Sequence, residues 1–99
     1  MIRMDIFILH DDEKIDVNQV VDISVVDEGI IVIETTNQSL YDRKFDDNLV
    51  IMNINNNKLF AKIEGVRFRG IEDIRPHFEI VCNRNRINKE QEAILNMIY

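Results

Sequence analysis

The chain has 99 residues, of which 45% are apolar and 30% are charged, and its formal net charge is −6. Ile and Val together supply 26 residues, a content that excludes a disordered chain and favours a strand-rich core. The sequence shows no apolar run as long as the roughly 18 residues of a membrane span, and no apolar leader after Met1. A single cysteine, Cys82, excludes an internal disulfide and a Cys-rich metal site. We expect one cytoplasmic domain over residues 1–99, without a cofactor or a metal.

The first third of the chain predicts short strands joined by tight turns. Residues 3–9 are rich in Ile and Phe and predict a strand, and residues 15–21 predict a second one after a polar turn. The clearest hairpin lies within residues 22–36, where Asp27-Glu28-Gly29 separates two β-branched runs. Glycine at such a loop supplies the positive φ that a tight hairpin needs.

The second half continues the strand pattern. Residues 49–54 and 58–63 form two arms around an Asn-rich turn, and asparagine tolerates left-handed backbone. Residues 66–69 alternate strictly, which places both of their arginines on one face of a strand. A last strand over residues 77–82 follows Pro76.

The hydrophobic period then changes from that of a strand to that of a helix. Gln91, Ile94, Leu95 and Ile98 fall at i, i+3, i+4 and i+7, which predicts a helix over about residues 88–99 with Asn88 as its N-cap. The fold class is therefore mainly β, a small antiparallel barrel or roll of six or seven strands with one C-terminal amphipathic helix. We expect the helix to cover an open end or edge and to bury Ile94 and Ile98.

The sequence contains only weak signals for catalytic or metal-binding residues. The run from His10 to Glu13 is contiguous and cannot direct four ligands toward one ion, so it predicts a solvated turn. Cys82 shares the apolar phase of its strand and predicts a buried structural thiol. His77 has no nucleophile motif near it in the sequence. These features predict a protein that is not an enzyme.

Charge is distributed unevenly along the chain. Residues 1–50 carry 12 acidic and 4 basic side chains, a net charge of −8, whereas residues 51–99 carry 6 acidic and 8 basic side chains, a net charge of +2. This balance disfavours a duplex nucleic-acid partner. Guanidinium groups bind phosphate, so the second half predicts an anion site, or else its cations neutralise the acidic first half. The cations in question are Lys62, Arg67, Arg69, Arg75, Arg84 and Arg86.

Two local patterns resemble the PilZ domain family. The first is Val21-Asp22-Ile23-Ser24 followed by Gly29-Ile30-Ile31-Val32, which is similar to the family's Asp/Asn-x-Ser-x-x-Gly strand motif. The second is Phe78-Glu79-Ile80-Val81, which leads into the helix that begins after Asn88. The resemblance implies a small antiparallel barrel with a C-terminal helix. It also implies a role in bacterial cyclic di-GMP signalling or motility control.

The chain departs from that family at the ligand motifs. It lacks the Arg-x-x-x-Arg motif before the first strand, and Asp27 stands where the strand motif has glycine. The resemblance therefore implies a degenerate member with lost or weakened nucleotide binding that acts as a protein-binding adaptor. A ligand site, if retained, is predicted at Asp22, Ser24, Gly29, Arg67, Arg69, Arg84 and Arg86.

Two other functions remain open from the sequence. A pleckstrin-homology-like roll has the same order of elements and would bind phosphoinositides or peptides at Arg67 and Arg69. A small acidic inhibitor, such as an immunity or phage antagonist protein, would cover a basic active site with the acidic first half, where Asp42, Asp46 and Asp47 lie close together. The oligomeric state is not predicted.

Overall fold

A computed structural model describes residues 3–99 of the chain, and these residues form seven strands and two α-helices. A 3-10 turn, Arg84–Arg86, separates the last strand from the last helix. In chain order, the elements are β1 (Met4–His10), β2 (Glu13–Asp16), β3 (Val20–Asp27), β4 (Ile30–Thr35), α1 (Gln38–Asp42), β5 (Leu49–Ile54), β6 (Asn57–Glu72), β7 (Arg75–Asn83) and α2 (Lys89–Ile98).

All seven strands belong to one antiparallel sheet with the order β2-β1-β5-β6-β7-β4-β3. The predicted fold class, a mainly β protein with one C-terminal helix, is confirmed. The sheet is an open roll rather than a closed barrel, because no pairing joins β2 to β3 among residues 3–99. Its two edges are therefore β2 and β3.

β6 differs most from its prediction. Residues 58–63 and 66–69 were predicted as separate strands, but they lie in one strand of 16 residues. The pairing of β6 with β7 shifts register between Ile63 and Gly65 and again between Phe68 and Gly70. A glycine next to each shift allows the strand to bend without ending, as at a β-bulge.

The main core lies on the inner face of the roll. Since side chains alternate along a strand, every second residue of the central strands points inward. Phe45 and Leu40, from the connection between β4 and β5, complete this core and are fully buried. The sequence predicted only a turn near residues 36–39, whereas Asn37 caps the short helix α1 and α1 carries Leu40 inward.

The predicted boundaries of α2 are confirmed, but its buried face is not the predicted one. Asn88 Oδ1 accepts a hydrogen bond of 2.7 Å from the backbone N–H of Gln91, as an N-cap does. Leu95 is the buried residue of the helix, whereas Ile94 is 57% exposed and Ile98 is 65% exposed. The expectation that both isoleucines are buried is therefore wrong.

The position of α2 explains this difference. The helix does not cover an open end or edge of the roll. Instead, Leu95 packs with Ile51, Phe60 and Ile87 on the outer face of the sheet, opposite the main core. Ile51 and Phe60 belong to central strands and point outward, so they need an apolar cover. Tyr99 packs against the same cluster. The helix therefore contacts the sheet through Leu95 and again four residues later through Tyr99.

Candidate functional site

A row of charged side chains crosses four strands on the outer face of the roll. In the strand register, Asp22 of β3 pairs with Glu34 of β4, Glu34 pairs with Glu79 of β7, and Glu79 pairs with Arg67 of β6. Side chains of residues paired in this way lie on the same face of a sheet. The register therefore brings two of the predicted ligand residues, Asp22 and Arg67, onto one surface.

Glu34 is the centre of a dense polar cluster beside this row. Its Oε2 atom accepts a hydrogen bond of 2.5 Å from His77 Nδ1 and lies 3.4 Å from a terminal nitrogen of Arg69. The same Arg69 nitrogen donates a 2.5 Å hydrogen bond to Glu72. The side chains of Glu34 and His77 are only 13% and 10% exposed. We use the term outer polar face for Asp22, Glu34, Arg67, Arg69, Glu72, His77 and Glu79.

Both arginines of the outer polar face are held by carboxylates. Arg67 Nε donates a 3.0 Å hydrogen bond to Glu79. The hydrogen bond to Glu72 and the negative charge of Glu34 raise the pKa of the Arg69 guanidinium above its ordinary value. Each cation thus already has an acidic partner. An incoming phosphate would have to displace these partners and would meet carboxylates of its own charge sign.

Three residues of this face also have the geometry of a metal-ligand set. Ligand atoms of Glu34, Glu72 and His77 all lie within 4.8 Å of one another, and one imidazole with two carboxylates suits several divalent metals. Arg69, however, contacts both carboxylates. Its guanidinium supplies the positive charge that a metal ion would otherwise bring, so the cluster is a closed ion-pair network.

Of the other predicted ligand residues, Ser24 lies on the same face as Asp22, two residues further along β3, and Gly29 lies in the turn after this strand. Ser24 pairs with Val32 and is half-buried on β3. Gly29 forms the turn between β3 and β4 with φ +78°, and its carbonyl accepts a 2.8 Å hydrogen bond from the backbone N–H of Arg84. A side chain at Gly29 would collide with Asn85, because an added Cβ would lie 2.5 Å from the Asn85 amide nitrogen.

Arg84 and Arg86 do not join the other two arginines. Arg84 lies 4.0 Å from Glu92, and Arg86 makes ion pairs of 2.7 Å with Asp47 and 3.2 Å with Glu64. Hydrogen bonding to Asp47 is the main cause that raises the pKa of Arg86. Four residues of extended strand, roughly 13 Å, separate Glu79 from Asn83, where the segment with Arg84 and Arg86 begins. Within residues 3–99, neither of these two arginines pairs with Asp22.

The predicted burial of the Cys82 thiol is confirmed. Cys82 is fully buried, and burial raises the pKa of its thiol to about 12, which makes the thiolate scarce at neutral pH. His10 lies 3.1 Å from Asn48 Oδ1 and packs edge-on against Phe45. The group with metal-ligand geometry in the described residues contains none of residues 10–13.

A scan against protein-family models, a search of curated proteins and a search of solved structures each found no match to this chain. Within residues 3–99, no helix combines the length and the apolar character that crossing a membrane requires.

Proposed function

We propose that this chain is a non-enzymatic binding module, a PilZ-like adaptor that acts through contact with a protein partner and has lost or weakened cyclic di-GMP binding. One observation carries the proposal. Arg67 and Arg69, the best candidates for holding phosphate, are each engaged by carboxylates of the outer polar face. A nucleotide diester is anionic, so this face offers it more repulsion than attraction.

The architecture supports the same proposal. An antiparallel roll followed by a C-terminal helix agrees with the fold that the resemblance implies. The motif-like residues Asp22 and Ser24 lie on an edge strand, and Gly29 lies in the turn that follows it. The residues that resemble the family's strand motif thus lie along one edge of the sheet, and the exposed Asp22 and Asp27 make that edge acidic.

Calorimetric titration of the full chain with cyclic di-GMP tests the loss of nucleotide binding. We expect no binding heat at micromolar concentrations, because every guanidinium on the outer polar face is paired. A complex with a micromolar or tighter Kd would contradict the proposal.

A variant pair tests the electrostatic reason. Glu72→Gln with Glu79→Gln removes two carboxylates from the outer polar face, whereas Glu13→Gln with Glu90→Gln makes the same change of net charge elsewhere. We expect binding of cyclic di-GMP to become measurable in the first variant and not in the second. Equal behaviour of the two variants, each folded by circular dichroism, would show that the paired arginines are not the cause.

The same arrangement bears on a lipid-binding function. A phosphoinositide headgroup would need Arg67 and Arg69, as the pleckstrin-homology-like alternative requires, and would meet the same carboxylates. No structural feature favours this alternative over the adaptor.

A further inference from the structure

β3 is an edge strand that is rich in valine. It has eight residues, and within residues 3–99 it pairs only with β4, so one side of its backbone carries unpaired N–H and C=O groups. Val21, Val25 and Val26 on this strand are between 55% and 72% exposed. Soluble proteins usually shorten, charge or cover such an edge, because it is a template for pairing with another strand.

An apolar groove runs along the open side of β3. It has a volume of about 340 Å³ and lies where the roll fails to close, between β3 and the ends of β1 and β5. An incoming strand beside β3 could place its inward side chains in this groove and cover apolar surface that is now in contact with water. The groove is lined by Met4, Val20, Val21, Asp22, Ile23 and Ile54.

The charges around this edge specify the partner. Asp16, Asp22, Asp27 and Glu28 are exposed, and none of them makes an ion pair within residues 3–99. Arg67, Arg69, Arg84 and Arg86 are engaged with other carboxylates. Arg75 makes no ion pair within residues 3–99 and lines a cavity with Val20 and Val21, but the four carboxylates around this edge outnumber it. A basic partner would therefore find uncompensated negative charge at β3, which both attracts it and steers its approach.

A second copy of the chain fits this edge poorly. Pairing β3 with β3 of another molecule would bring Asp22, Asp27 and Glu28 of both copies to one short interface. Like charges placed opposite each other across strands are destabilising, and both copies carry a net charge of −6. The charge pattern thus favours a different, cationic partner over self-association.

We propose that β3 is the docking edge for an extended basic segment of a protein partner, which adds to the sheet as an eighth strand. This inference rests on the proposed adaptor function and names its partner class. Main-chain hydrogen bonds would supply affinity, as in other strand additions. Because Asp22 lies on the outer face and Ile23 on the inner face, the partner segment should alternate basic and apolar side chains.

A synthetic peptide tests this inference directly. The probe is a blocked peptide of about ten residues that alternates Val and Lys, long enough to pair along all of β3. Fluorescence anisotropy with the full chain measures its binding, and amide hydrogen exchange by NMR locates it. We expect saturable binding that weakens with salt and slower exchange in β3. A peptide that alternates Val and Glu should not bind.

Two matched double variants separate a specific site from general charge attraction. Asp22→Asn with Asp27→Asn removes two charges from β3, whereas Asp11→Asn with Asp12→Asn removes two charges from the turn between β1 and β2. We expect the first double variant to raise the Kd for the Val-Lys peptide about fivefold. The second double variant should leave this Kd unchanged. All four aspartates are exposed, so both variants should fold.

Several results would overturn the docking edge. They are an absence of peptide binding, slower exchange confined to other strands, an equal loss of affinity in both double variants, or β3 protection in the chain alone that grows with protein concentration. The last result would identify a second copy as the occupant. None of these results depends on cyclic di-GMP, whose titration tests the proposed function separately.

Discussion

The position of Cys82 determines how its thiol titrates. The residue is fully buried in the main core beside Ile63 and Ile80, and this burial raises the pKa of the thiol from its ordinary value of 9.0 to about 12. In the unfolded chain the thiol loses its proton near pH 9, whereas in the folded chain it keeps the proton up to about pH 12. The folded state therefore binds more protons in that interval.

The free energy of unfolding should consequently fall as the pH rises through this range, and the contribution of Cys82 is fully present below pH 9. Between about pH 8 and about pH 10.5, we expect the protein to lose about 2 kcal/mol more stability than its Cys82→Ala variant. Urea unfolding of both proteins at the two pH values measures this difference. Parallel losses in the two proteins would contradict the assigned role of the thiol.

Ion pairs between the basic second half and the acidic first half neutralise only part of the charge asymmetry of the chain. Arg69 and Arg86 each contact one carboxylate from the acidic first half, Glu34 and Asp47 respectively. Arg67 pairs within the second half, with Glu79. Neutralisation between the halves thus accounts for two arginines, and the acidic residues around β3 keep their charge uncompensated among residues 3–99.

At the scale of the secondary-structure element, α2 shows what a helical repeat can and cannot predict. Leu95 belongs to the predicted apolar stripe and is buried, but the stripe continues to the exposed Ile94 and Ile98. The surface that covers the helix is formed by Ile51 and Phe60, which are distant in sequence. The repeat therefore predicts that a helix forms, whereas its rotation about its own axis depends on tertiary contacts.

A pair of substitutions on α2 tests this orientation. Leu95→Ala removes the buried side chain and should cost about 2–4 kcal/mol of unfolding free energy, because it leaves a cavity between the helix and the sheet. Ile94→Ala removes an exposed side chain of similar size and should change stability by less than about 1 kcal/mol. Thermal or urea unfolding measures both values. Similar losses for the two variants would show that Ile94 also faces the sheet.

Other elements were predictable because their signals are local. The bounds of β5, Leu49–Ile54, follow from a β-branched run that ends at an Asn-rich turn. The sequence predicts two strands, residues 58–63 and 66–69, where the structure has β6 alone. Only the pairing with β7 shows that Gly65, between them, marks a change of register. The cluster of Glu34 and His77 joins residues 43 positions apart in the sequence. Such contacts depend on strand order, which no local pattern specifies.

At the scale of the whole molecule, the open sheet predicts an uneven distribution of stability. β5, β6 and β7 are paired on both sides and contribute fully buried residues such as Val50, Ala61 and Ile80. β2 and β3 are each paired on one side only among the described residues. Strands with fewer partners open at a lower free energy.

Native-state amide hydrogen exchange should therefore be slowest in β5, β6 and β7 and fastest in β2 and β3. NMR exchange rates on the free chain measure this order, and the comparison uses only amides that donate within the sheet. If the paired amides of β3 exchanged as slowly as those of β6 at every protein concentration, the sheet would not be open at β3 in solution.

The turn that contains Gly29 connects the free edge of the sheet to the end of the chain. Its carbonyl is bonded to the backbone of Arg84, whose guanidinium lies near Glu92 in the first turn of α2. The edge strand and the segment that leads into α2 are therefore held to each other at this turn by a main-chain hydrogen bond. A side chain added at Gly29 would meet Asn85 in that segment, so one substitution would disturb both elements at once.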